Sequence, residues 1–485
     1  MGICILKVVD NEITGVSNSG NCDIQSPTIN ESITGIKYLS SYVEIANLSN
    51  FVNIQKIPDK LCYNNINLKQ IIFPPNIIEI GNEAFYACKN LIGFLNLPNV
   101  RKIGNSSFLY CNKMEGSINF SYIESIGRDA FYYCERLTGA PNYPNAIEIG
   151  SGAFYYCHKI NGTIFLPKIR IIRGGAFLHC FGLSGSLDFP NVEVIEGAAF
   201  HICAGLNGSL NIPNLRIIGD RAFYDCRGLR GSINFTKLEY IGSLAFNCCM
   251  RLEELVSIGS VKSINGGAFE VCNNMKGSFS NYIFESIGGF AFEGCFKMTG
   301  ILDCRNLISI GARTFERCGI EGVINTDRIE IIGGYAFYNC ANLSGIINLS
   351  NVKLIGRSAF SNDTKITEII LMNDNITIGS NAFYTNIKLT IQHPLNISRE
   401  AIENYENKKF SIFYLGYYES HYNSTQTIYE YAKIIYVNCG YQNQTFFGQK
   451  VCKLCIDNNS SPKGYSIIFD FSVINLLVWH YSPDK

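Results

Sequence analysis

The chain has 485 residues, 47% of them hydrophobic, and its 40 Lys and Arg are balanced by 40 Asp and Glu. That much apolar material supports a large core, and a formal net charge of zero excludes the basic surplus that draws nucleic acid or an anionic membrane. Its 20 cysteines are too sparse for a small disulfide scaffold, yet more than most cytosolic proteins use.

The first stretch, "MGICILKVVDNE", has one short apolar run that meets Asp10 and Glu12 at once. It lacks the basic start and the apolar region of about 7–15 residues that make a signal peptide. Leu6 stands where myristoylation needs Ser or Thr. Residues 1–56 read as an N-terminal cap region.

From residue 57 to 390 the chain repeats itself. A phenylalanine recurs from Phe85 to Phe383 with a step of 23 residues, broken only between Phe315 and Phe337, where the step is 22. One earlier copy has Cys62 in the phenylalanine slot, so there are about fifteen units. Such a period is that of a leucine-rich solenoid. In "IGNEAFYACKNLIGFLNLPNVRK" (80–102), Ala84, Phe85, Cys88 and Leu91 have the spacing of one helical face. The alternation of Leu95 and Leu97 about Asn96 is that of a strand, and Pro98 ends it. The expected fold is an α/β repeat solenoid. It has a parallel β-ladder on one face, short helices or 3₁₀ turns on the other, and a length of roughly 70 Å.

The core column of this solenoid follows from the repeat. Its pairs are Phe85 and Cys88, Phe108 and Cys111, Phe131 and Cys134, Phe154 and Cys157, Phe177 and Cys180, Phe200 and Cys203, and Phe223 and Cys226. The cysteine column continues to Cys340. Identical stacked positions give parallel Cβ vectors, unsuited to disulfides between rungs, so these cysteines are expected to be small buried hydrophobes. A metal ladder would need converging ligands. Asn65, Asp363 and Asn386 replace cysteine in the end units, as closing units require.

The run "LSGSLDFPNVEVIEGAAFHICAGLNGSLNIPNLRIIGDRAFYDC" (183–226) resembles the BspA-like leucine-rich repeat family, with its "IG..AF..C..L" signature followed by "GSL.IP". The resemblance covers residues 57–390. It implies a surface antigen or adhesin that binds host proteins or other cells, and hence a place at the cell surface or outside the cell. No signal peptide, transmembrane helix or other anchor is visible, so a cytoplasmic place stays open.

After residue 390 the pattern dissolves into a Tyr-rich flank, 391–438. A short cysteine-containing tail, 439–485, holds Cys439, Cys452 and Cys455. Weak similarity to the cysteine modules that follow repeat ectodomains implies disulfides there. Three zinc ligands with His480 as a fourth are the other reading, and inert or partly paired cysteines a third.

No catalytic arrangement stands out. His158, His179 and His201 lie in consecutive units at different offsets, which puts them in different columns, and no cofactor is implied. The expectation is a non-enzyme and a monomer, with a protein or cell-surface ligand as partner and no nucleic acid. Two outward columns are candidates for binding it. One is a tyrosine patch at Tyr132, Tyr133, Tyr155 and Tyr156, flanked by Tyr86, Tyr110 and Tyr224 and turning acidic at Glu270, Glu293 and Glu316. Tyrosines suit contact surfaces, but could equally be half-buried packing. The other is the outward strand column with Asn119, Asn142 and Asn211, either a polar face for a ligand or an amide ladder satisfying itself. About sixteen Asn-x-Ser/Thr sequons, among them Asn30, Asn105, Asn161, Asn207, Asn342 and Asn423, favour a surface glycoprotein. The alternative is an intracellular interaction scaffold.

Overall fold

The computed structural model describes residues 41–392, apart from 94–96, 119, 325, 374 and 384–386, with shorter stretches between 2 and 39 and between 399 and 468. The chain divides into two compact units, Met1–Lys276 and Gly277–Lys485.

Within the first unit, the most regular ladder runs through the Ile-Gly motif and not through the Leu-x-Leu stretch. Lys56–Ile57, Glu79–Ile80, Lys102–Ile103, Ser125–Ile126 and Glu148–Ile149 pair in parallel, and so do Ile171–Ile172, Val194–Ile195, Ile217–Ile218, Tyr240–Ile241 and Ser263–Ile264. Each pairing matches one isoleucine with the isoleucine of the next unit. The Leu-x-Leu stretch forms shorter pieces of a second ladder, such as Leu187–Asp188 against Leu210–Asn211. Parallel pairing is already present before residue 57, where Ile13 meets Ile36 and Val43–Asn47 meets Gln70–Ile72.

The second unit repeats the first ladder at Ser286–Ile287, Ser309–Ile310, Ile331–Ile332, Leu354–Ile355 and Thr377–Ile378. Its other ladder does not stop at residue 390. Lys388–Ile391 pairs in parallel with Ser411–Tyr414, which pairs with Ile434–Asn438, which pairs with Gln449–Ile456. Lys388, Ser411 and Ile434 are register partners, so the backbone keeps the period of 23 after the Phe-Cys signature has gone. Cys452 and Cys455 lie on this last strand; Cys439 and His480 fall outside the described residues.

The expected short helices on the other face are not found among the described residues. Among the described residues the only helical segments are two 3₁₀ turns, Phe279–Asn281 and Arg399–Ala401. The reason lies in the backbone around each phenylalanine. Glu83 and Ala87, two residues to either side of Phe85, have φ of 53° and 55°, and the same left-handed pair recurs at Ser106 and Tyr110, Ala198 and Ile202, and Arg221 and Asp225. A non-glycine residue in this region breaks helical continuity. The N–H groups of Glu83, Phe85 and Ala87 then donate to Asn105, Ser107 and Leu109 in the next rung at 2.7–2.8 Å, while those of Tyr86 and Cys88 reach back within their own turn. A helix would keep all of these bonds to itself. The i, i+3 spacing therefore marks a compact turn that aims Phe85, Cys88 and Leu91 at one core.

Phenylalanines of neighbouring rungs stack face to face. In the first unit their centroids lie 5.1–5.5 Å apart, from Phe85 with Phe108 to Phe246 with Phe269, at interplanar angles of no more than 9°. The twelve column cysteines from Cys88 to Cys340 are all buried free thiols. Most of these thiols visibly donate to the previous rung: Cys111 Sγ to Phe85 O at 3.1 Å, Cys203 to Phe177 O and Cys226 to Phe200 O at 3.0 Å. Each phenylalanine carbonyl already accepts the N–H of its own cysteine, so the thiol serves its second lone pair. Burial pushes these thiols up, Cys88 to about 12, which keeps them protonated donors. Asparagines of Pro-Asn turns do similar work: Asn191 Nδ2 donates to Pro167 O, and Asn214 Nδ2 to Pro190 O, both at 2.7 Å. Where glycine follows a ladder isoleucine, close stacking needs it. A Cβ on Gly104 would lie 2.7 Å from Asn82 N, and one on Gly127 2.6 Å from Asn105 N.

Candidate ligand-binding site

The left-handed residue two places after each phenylalanine turns the chain so that two successive side chains emerge on the turn face. The four tyrosines of the patch come together there. Tyr132 stacks on Tyr155 and Tyr133 on Tyr156, both with centroids 4.5 Å apart and planes within 9°. Tyr132 and Tyr133 lie 5.0 Å apart, and Tyr155 and Tyr156 4.8 Å apart, which closes the group. Toward the N-terminus the contacts continue through Tyr110 and Tyr86 to Tyr63. Because the rings cover one another's faces, the strip offers edges and hydroxyls to a ligand, not open faces. Tyr110 is 36% exposed and the central four are half-buried.

The histidines correct the sequence reading. Although their offsets differ, His158, His179 and His201 join the same strip. Tyr156 contacts both His158 (5.2 Å) and His179 (4.4 Å, stacked), His179 lies 5.9 Å from His201, and His201 stacks on Tyr224 at 4.8 Å. Rings this long bridge columns that differ by one or two positions, which a comparison of offsets alone does not capture. Among the described residues no group of three His, Cys, Asp or Glu side chains is arranged to hold a metal ion.

Burial favours the neutral forms of several groups in the strip. Burial, then the neighbouring Tyr155, pushes the Tyr132 hydroxyl up to about 12, and burial raises Tyr133 and Tyr155 too. Burial lowers His179 and His201, with His158 acting further on the first and His179 on the second. One ring nitrogen of each histidine is buried without a hydrogen-bond partner: His158 Nε2, His179 Nδ1 and His201 Nδ1. A histidine whose folded pKa is depressed contributes full stability above its unfolded value, about 6.5, and loses it as pH falls toward the folded value. Acidification from pH 7 to 5 is therefore expected to lower the thermal midpoint of the first unit. A His179→Phe, His201→Phe variant should lose less over the same range, and matching pH profiles would contradict this.

The asparagine column is a separate feature. Asn142 and Asn211 are exposed on the second ladder, and Asn119 lies outside the described residues. Asn211 Nδ2 donates to Asp188 Oδ1 at 2.8 Å, while Asn142 bridges through its backbone to the exposed Phe165. No hydrogen bond among the described residues joins Asn142 or Asn211 to the tyrosines. The acidic continuation is not an open face either: Glu316 is buried against Arg313 at 2.7 Å, and Glu270 accepts from Asn247 at 2.8 Å.

Solved structures similar to this chain are themselves repeat proteins. A leucine-rich repeat protein from Bacteroides ovatus is 20% identical, with 80% of this chain and 98% of that one covered and a TM-score of 0.49. A leucine-rich cell surface protein from Faecalibacterium prausnitzii is 21% identical, with 76% and 92% covered and a TM-score of 0.39. No curated protein sequence matches. The BspA type leucine rich repeat region matches in six copies, over residues 17–92, 92–207, 193–321 and 278–390. With the Phe-Cys turn, the Ile-Gly ladder and this match in agreement over most of its length, the chain belongs to the BspA-type leucine-rich repeat family.

Proposed function

We propose that this protein is a non-enzymatic binding protein of the cell surface or the extracellular space, an antigen or adhesin that takes a protein or cell-surface ligand along the tyrosine strip. The observation that carries this reading is the continuous chain of ring contacts from Tyr63 to Tyr224, centred on Tyr132, Tyr133, Tyr155 and Tyr156. Stacked tyrosines are held in place before the ligand arrives, so little side-chain freedom is lost on binding. A strip along several rungs suits an extended partner better than a small molecule. The surface or secreted setting rests on the family resemblance and on sequons whose asparagines are exposed, among them Asn105, Asn161, Asn207 and Asn342. Among the described residues no helix is long and apolar enough to cross a membrane.

In a cell- or matrix-binding assay with the full chain, Tyr132→Ser with Tyr155→Ser is expected to weaken binding by about 30-fold or more at unchanged thermal midpoint. Binding should change little between about 50 and 200 mM salt, because the strip's tyrosines displace no counterions. Unaltered binding by the double variant would rule out the strip. Mass loss of the native protein on N-glycosidase treatment tests the compartment, and an unmodified chain would favour an intracellular scaffold.

A further inference from the structure

The outward side of the Ile-Gly ladder in the first unit carries a second surface, distinct from the aromatic strip. Ile171, Val194, Ile217 and Tyr240 occupy the same ladder position in four consecutive rungs and are register partners in turn. Their inward neighbours Ile172, Ile195, Ile218 and Ile241 are buried, but these four point outward: Ile217 is 38% exposed, Tyr240 45%, and the other two are half-exposed. The ladder itself does not demand apolar residues at this position. In other rungs it holds Lys56, Glu79, Lys102, Ser125, Glu148 and Ser263, paired in the same register. A contiguous apolar row that the fold does not require marks an interaction surface.

What covers it can be read from the row beside it. The residues one place earlier in each rung are Arg170, Glu193, Arg216 and Glu239, so the charges run plus, minus, plus, minus. Within the chain, Arg170 pairs with Glu193 through Nε at 3.1 Å, and Arg216 with Glu239 through two bonds of 2.9 and 3.0 Å. Read backwards, this row has the opposite sign at every position. We infer that the surface is built to receive a second copy of this chain, packed antiparallel about a two-fold axis that lies in the interface and passes between Val194 and Ile217. That operation sets Arg170 against the partner's Glu239 and Glu193 against the partner's Arg216. It also lays the apolar row on itself, Ile171 on the partner's Tyr240 and Val194 on the partner's Ile217. An axis running along the rows would instead set Arg on Arg and Glu on Glu. Closed two-fold dimers need such self-complementary surfaces.

Four rungs at about 4.8 Å spacing span only about 14 Å from first to last. The apolar centre is therefore smaller than the roughly 800 Å² per partner of a standard interface, and the charged row with its flanks must contribute. A reversible dimer in the micromolar range follows, in place of the monomer expected from the sequence.

Sedimentation equilibrium of the full chain over about 1–100 µM, at physiological salt, tests this. The wild type is expected to dimerise. Ile217→Lys should abolish association at these concentrations, and Arg216→Glu should weaken it at least about tenfold, because it sets two glutamates face to face at the axis. Glu193→Arg combined with Arg216→Glu restores opposite signs across the axis and should return the affinity to within about threefold of wild type. Thermal unfolding checks that each variant is folded. A wild type that stays monomeric at 100 µM overturns the inference, and so does association that neither single variant weakens. A double variant no better than Arg216→Glu alone overturns the antiparallel arrangement.

Discussion

Replacing Phe200 with Ala is expected to cost the Met1–Lys276 unit about 3–5 kcal/mol. The ring is fully buried between Phe177 and Phe223, with both centroids 5.4 Å away, and Phe189 lies 6.2 Å off on a third side. Its removal leaves a hole in the middle of a stack whose members are held by hydrogen bonds between rungs, so the walls cannot close on it. Phe383 in the other unit makes the contrast. It is equally buried, but its one ring contact among the described residues is Phe360 at 6.4 Å, and its rung is near the end of the phenylalanine column. Phe383→Ala should cost less, because it breaks one ring stack between rungs where Phe200→Ala breaks two. Urea unfolding followed by amide exchange within each unit measures both, and equal losses would contradict the stacked picture.

Asp363 provides the second large effect, of opposite sign. It sits in the cysteine slot one rung after Cys340, buried to 1% exposure, with no side-chain partner for its carboxylate and only the Cys340 backbone acting to offset its burial. Burial pushes its carboxyl well above the usual range. An acid whose folded pKa is raised adds no pH-dependent cost while protonated in both states. As pH climbs past the unfolded value near 3.9, the folded state must either keep a proton that the unfolded chain has released or bury a charge. Stability is therefore lost progressively up to the folded pKa, and the loss stays constant above it. Asp363→Cys, which restores the column's thiol, and Asp363→Asn should each stabilise the Gly277–Lys485 unit at pH 7 by about 1–3 kcal/mol, with little gain at pH 3.5. In the first unit, Asn65 shows that an amide fits a cysteine slot: its Nδ2 donates to Val43 O at 3.0 Å, and its Oδ1 accepts the N–H groups of Asn67 and Leu68. Amide exchange around Phe337 and Phe360 between pH 3.5 and 8 provides the readout. A gain of the same size at every pH would mean that the charge is not the cause.

These two residues mark what the sequence made legible and what it hid. The Phe-Cys period located the core column to the residue, because a stacked core repeats wherever its rungs do. It did not reveal that the most regular ladder passes through Lys102–Ile103 and its counterparts: two-residue strands are too short to show alternation. Nor did the spacing of Ala84, Phe85 and Cys88 separate a helix from a turn, since both set those side chains on one side; the difference lies in the positive φ of Glu83 and Ala87, for which neither residue type is a signal. The tyrosine contacts followed from repetition, whereas the histidine contacts depend on ring length and chain direction, which offsets do not encode. The strands at Ser411–Tyr414 and Ile434–Asn438 were missed because their period survives only in backbone pairing, without the Phe-Cys signature.

The thiol-to-carbonyl bonds also bear on how such a chain can evolve. Each polar closure between rungs runs a fixed distance along the sequence: 26 residues from Cys226 Sγ to Phe200 O, and 24 from Asn214 Nδ2 to Pro190 O. If recombination between tandem gene copies removes or inserts one whole period, every donor at the junction meets an acceptor equivalent to the one it lost. Turn number can thus drift from generation to generation without leaving an orphaned group in the interior. The short unit after Cys318 extends this tolerance to single codons, since Cys340 still reaches Phe315 O, 25 residues back, at 3.0 Å. Length is then a freely heritable variable, and lineages sharing this architecture should differ from one another in how many turns they carry before they differ in how a turn is built.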